Sequence, residues 1–165
     1  MGWEKQMQEA TRYAQRTFDA HAERFANVVD GLSPEALAWR PGDETTNAIA
    51  QIVRHVVAWQ PWYLGIVLDD PVPLDDAALN QKQADSLDNS PTTAADLRAL
   101  VEAMRAQTTT VLGRVGDRDL NEEITPYGDA EARCFYLSGA IDHAAEHIGH
   151  AELTRQLWEQ RMLVT

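Results

Sequence analysis

Asp142-His143-Ala144-Ala145-Glu146-His147-Ile148-Gly149-His150 holds three of the five histidines of a 165-residue chain. On an α-helix, residues four apart lie about 40° from each other and residues seven apart about 20°. His143, His147 and His150 therefore predict one narrow stripe. Working outward, Tyr136, Ala140, His143, His147, His150 or Ala151, Thr154 and Leu157 trace the expected inner face of a helix from about Ala132 to Glu159. The histidines fall where a helical bundle expects leucine. An unpaired buried imidazole costs roughly 2 kcal/mol, because its N–H and lone pair lose water. A shared metal ion removes that cost by taking up the lone pairs.

Three more long amphipathic segments precede this one. Trp3, Met7, Ala10, Ala14, Phe18, Phe25 and Val28 recur at helical spacing over residues 3–30. Gly31-Leu32-Ser33-Pro34 ends that run, and Ser33 with Pro34 predicts a short turn over Glu35–Ala38. A second helix is expected from an N-cap near Thr45–Asn47 to about Val67, with a kink or early end at Pro61. Residues 69–90 are acidic and proline-bearing, a long connection for a compact domain. Ser90-Pro91 predicts the start of the third helix, with Thr93 and Asp96 echoing a capping box and Leu97, Leu100, Val101, Met104, Val111, Leu112 and Val115 on its inner face. No strand pattern stands out. The expected fold is an all-α four-helix bundle in one domain over residues 1–165, with an up-down-down-up course.

Fourteen basic residues face 26 acidic ones, a net charge of −12 that repels phosphate backbones and anionic lipid. This argues against nucleic-acid and membrane partners. The mean hydropathy of −0.40 and the absence of an apolar run of ~20 residues describe a water-soluble chain. The start lacks a signal-peptide core, and Gln6 breaks the myristoylation pattern at Gly2, so a cytoplasmic location is expected. Cys134, the single cysteine, excludes an internal disulfide and is expected to pack as a small apolar residue.

His55 falls between Ile52 and Trp59 on the second helix. Alone it reads more often as a hydrogen-bonded packing residue than as a ligand; its place in the same inner seam as the His143/His147 pair strengthens the metal reading, which spacing alone does not settle. His150 stands about 10.5 Å along the axis from His143, which disfavours ligation of one ion by all three. Proton transfer or a place at the mouth of the site suits His150 better. His21, between Phe18 and Phe25, is a proton donor to the pocket, an extra ligand or a packing residue. Trp59 lines an apolar wall or fills the core. Asp142 and Glu146 point about 100° from the ligand stripe and read as solvated charges.

The chain resembles the DinB-like (DinB/YfiT-type) metalloproteins over most of its length. Gly31 to Pro41 (GLSPEALAWRP) is similar to that family's link between helices one and two. Asn47-Ala48-Ile49 and Arg54-His55-Val56-Val57-Ala58-Trp59 are similar to its second helix, which carries the first ligand. His143-Ala144-Ala145-Glu146-His147-Ile148-Gly149-His150 is similar to its closing motif, with His150 where the family usually has glutamine. The resemblance implies a four-helix bundle in which His55, His143 and His147 bind a divalent metal, commonly zinc or nickel. It also implies a small-molecule thiol and an electrophilic acceptor as partners in a thiol S-transferase or isomerase reaction, and a homodimer. A non-catalytic, stress-associated metal-binding bundle is the competing expectation. Trp3 and Trp158 serve an interface or cap the core.

Overall fold

A computed structural model describes residues 2–43, 45–69, 81, 83–84, 88, 90, 92–115, 119–126 and 128–164, with side chains considered over 9–163. Among the described residues the elements follow in the order α1 (Gly2–Val29), α2 (Pro34–Ala38), α3 (Ile49–Val67), α4 (Ala94–Val115), β1 (Glu123–Ile124), β2 (Glu131–Ala132) and α5 (Arg133–Val164). Most of the long connection over residues 69–90 lies outside the described residues, as do Pro91, Gly116, Asp117 and Tyr127. None of the helices is long and apolar enough to cross a membrane, among the described residues.

Local chemistry sets the helix ends. Ser33 Oγ accepts from Ala36 N at 3.2 Å and Pro34 opens α2, where its missing N–H is no loss. Thr93 and Asp96 form the expected reciprocal cap: Asp96 N donates to Thr93 Oγ1 at 3.2 Å and Thr93 N to Asp96 Oδ2 at 3.0 Å. The helix thus starts at Ala94, after rather than at Ser90. The start of α3 also differs from expectation. Its N-cap is Ala48, not a residue of Thr45–Asn47, and the Gln51 side chain reaches back to accept from Ala48 N at 3.0 Å. α3 then continues through Pro61 to Val67.

Two apolar clusters reveal the course of each long helix. One gathers Phe25 and Val29 of α1, Ile49, Val53 and Val56 of α3, Leu97 and Val101 of α4, and Ala144 and Ile148 of α5. The other gathers Ala14 and Phe18, Leu64 and Val67, Leu112 and Val115, and Leu137 and Ala140. Along the chain α1 and α5 run from the second cluster to the first, while α3 and α4 run from the first to the second. Cross-helix bonds agree: Arg105 Nε donates to Asp19 at 2.7 Å and Arg98 Nη1 to Asp30 at 3.0 Å, an antiparallel register of α1 and α4. The architecture is an all-α bundle.

The hairpin was not foreseen, because two-residue strands carry no periodicity. Glu123 pairs with Ala132 and Ile124 with Glu131, antiparallel. It delivers the chain into α5 with Arg133 turned inward and 1% exposed. The Arg133 guanidinium donates to Val67 O at 3.0 Å and to Glu122 Oε2 at 2.9 Å. Cys134, the next residue, is exposed, contrary to its expected packing, since Arg133 takes the inward position of that turn. Trp158 is buried and packs its ring 5.7 Å from that of Trp39, so it caps the core; the Trp3 side chain lies outside the described set.

Candidate metal centre

α3 and α5 pack side by side, and the two helices bring three imidazoles together at their seam. The innermost residues of α5 are Leu137, Ala140, Ala144, Ile148 and Ala151. His143 and His147 each precede one of these, so they sit about 100° around the helix from the core line. Of the predicted inner stripe, Ala140, Ala151 and Thr154 are buried, whereas at Tyr136, His143, His147 and Leu157 the buried residue is the next one along the chain. On α3, Val56 and Gln60 face the core and His55 flanks them. All three histidines are half-buried rather than enclosed. Small side chains at positions 140, 144 and 151 fill the core here, and the larger imidazoles occupy the seam.

The geometry suits one ion. One ligand nitrogen from each of His55, His143 and His147 lies within 4.8 Å of the others, the single such donor group of three among the described residues. His55 Nε2 and His143 Nε2 are 3.1 Å apart. Two nitrogens each about 2.1 Å from a metal are separated by about 3.1 Å when the angle at the ion is about 95°. Ring centres then stand about 3.2 Å from the ion, and two rings at 90–110° are about 4.5–5.2 Å apart. The three ring-centre separations are 4.6, 4.6 and 5.1 Å. The donors thus converge from one side, which leaves the opposite face of an ion open to water or ligand.

Electrostatics favour the same role. Burial, reinforced by the neighbouring His147, pushes His55 down from 6.5 to about 4. Burial first, then His147 and His55, push His143 down to about 4 as well. His147 is lowered by burial and by His150, with Glu146 opposing. Near neutral pH the rings are uncharged, so their lone pairs are available without competition from protons. His143 Nδ1 is buried with no hydrogen-bond partner among the described residues, while its Nε2 faces His55 Nε2 at 3.1 Å.

Aromatic side chains border two of the ligands. Trp59, predicted as wall or core, is half-buried with its ring 6.0 Å from His55. Tyr63, which spacing alone did not single out, lies 5.2 Å from His143. Its position eight residues beyond His55, on the same stripe of α3, was the available signal. Burial, with the charge of Glu146, raises the Tyr63 phenol above its ordinary range. Trp62 completes the wall at 4.8 Å from Tyr63 and 5.6 Å from Trp59.

The remaining candidates separate. His150 is exposed, its ring 5.6 Å from that of His147, and it is not one of the three grouped donors. His21 is buried on α1 with its ring 6.4 Å from that of Phe18, and it is not one of the three grouped donors. Asp142 and Glu146 are exposed.

Comparison with known proteins places this geometry in context. The family model described as the DinB superfamily matches residues 17–151, a span that includes all three grouped histidines. No curated protein matches the chain.

Proposed function

The chain belongs to the DinB superfamily, and from that premise we propose that it is a metal-dependent thiol S-transferase or isomerase acting on a small electrophile. His55, His143 and His147 would hold the ion, with zinc or nickel the metals we favour. When bound, such an ion lowers the pKa of a coordinated thiol and holds the thiolate ready for attack. The observation that carries the reading is the one-sided, half-buried donor set: three neutral imidazoles leave coordination positions open beside an aromatic wall.

The chain's own residues divide the remaining work. Trp59, Trp62 and Tyr63 present apolar ring surface next to the ligands, suited to holding an acceptor and excluding water from it. His150, exposed beside His147, would accept the proton that the thiol releases, a role its nearness to His147 supports. A homodimer in the cytoplasm completes the proposal.

The test supplies zinc- or nickel-loaded protein with several low-molecular-weight thiols and a chlorinated aromatic acceptor. In the expected reaction a carbon–sulfur bond forms, the carbon–chlorine bond breaks, chloride leaves and the thiol proton passes by way of His150 to solvent. Mass spectrometry should detect the conjugate and ion chromatography an equal amount of chloride. Metal-loaded protein that yields no conjugate with any thiol would favour a non-catalytic metal-binding bundle.

A further inference from the structure

His150 lies outside the three-histidine group yet directly beside it. Its ring centre is 5.6 Å from that of His147, whose own ring is 4.6 Å from both His55 and His143. A ring-centre spacing of 5.6 Å is within the reach of two imidazoles on one ion. His147 thus borders both the half-buried group at the α3–α5 seam and His150 on the exposed face of α5.

We propose that His147 and His150 form an outer capture site from which a divalent ion passes into the group of His55, His143 and His147. This rests on the inner group being a metal site. An aqua ion sheds its waters one at a time, and a three-ligand site at a helix seam requires several to leave in succession. A two-imidazole station at the surface divides that cost. His150 exchanges a first water while the ion is still largely hydrated, and His147 stays bound while His55 and His143 displace the rest. The surroundings favour cation arrival: Glu146 is exposed one residue before His147, and the chain carries a net charge of −12. The two donors are one helical turn apart, so the outer pair needs no movement of α3.

A station on the path that the resident ion does not occupy changes arrival and departure equally and leaves the equilibrium alone. The test uses metal-stripped full-length protein, with Co²⁺ as the probe and its ligand-field absorption as the readout. Wild type and His150→Gln are compared by stopped-flow mixing, by release to excess chelator and by competition titration, with circular dichroism to confirm the fold. His150→Gln should bind Co²⁺ at least fivefold more slowly and release it more slowly by the same factor, with Kd within twofold of wild type. Rates within twofold of wild type would overturn the capture site. A Kd weakened tenfold at an unchanged association rate would make His150 a resident ligand instead. Wild type that develops no cobalt spectrum would refute the inner metal site itself.

Discussion

Acidification of the metal-free protein tests how the donor group is held. His55 and His143 lie near 6.5 in the unfolded chain and are each pushed down to about 4 by burial in the folded one. Because the folded pKa is depressed, the unfolded chain takes up protons first as the pH falls. The stability these rings contribute is complete above pH 6.5, declines between 6.5 and 4, and is flat below that. A fall from 6.5 to about 4, fully transmitted, corresponds to about 3.4 kcal/mol per ring. The rings are half-buried at a seam, so water screens the charge and about 1–2 kcal/mol each is the expected effect. For a chain of this length about 2–4 kcal/mol from the pair lowers Tm by about 5–15 °C. The assay is a series of calorimetric melts from pH 7.5 to 4 in chelator, on wild type and on His55→Gln/His143→Gln. Carboxylates, His21 and His147 titrate in both proteins, so the difference isolates the pair. Wild type should lose about 5–15 °C more than the variant across that interval. Parallel curves, or a wild-type loss confined to the region above pH 6, would refute the placement of these rings.

Two further outcomes follow from the packing. Arg133→Met keeps much of the buried stem but strands Val67 O and breaks the contact to Glu122, so stability should fall by about 2–3 kcal/mol in urea titration. A loss under 0.5 kcal/mol would show that Arg133 does not tie the hairpin and α3 to α5. His21→Leu removes a buried ring whose Nδ1 has no hydrogen-bond partner among the described residues. It should raise stability by about 1 kcal/mol at pH 7 and by more toward pH 5, because burial and Arg24 depress the His21 pKa; destabilisation would mean that His21 has a partner.

The long helices were legible because their apolar residues keep a 3.6-residue period over many turns, and Ser33, Thr93 and Asp96 carry their capping chemistry in their side chains. The start of α3 was not, because Gln51 acts from inside the helix on Ala48 and leaves no polar residue at the cap itself. On α5 the core line includes Ala140, Ala144 and Ala151, weak markers beside a row of histidines, so the predicted face kept Ala140, Ala151 and Thr154 but set His143 and His147 one residue off the true line. That error matters for chemistry: at the core line the imidazoles would have been sealed in, whereas at the seam an ion keeps an accessible face. Spacing joined His143 to His147, and the inner seam of the second helix pointed to His55 without settling it. Family resemblance completed that connection, and the α3–α5 packing supplies its geometry.

The central claim is that imidazoles from α3 and α5 hold one ion in common, and elemental analysis of purified protein after loading and exhaustive dialysis tests it most directly. Wild type should retain close to one zinc or nickel ion per chain, and His147→Ala, verified as folded, close to none. Equal metal content in the two proteins would contradict it.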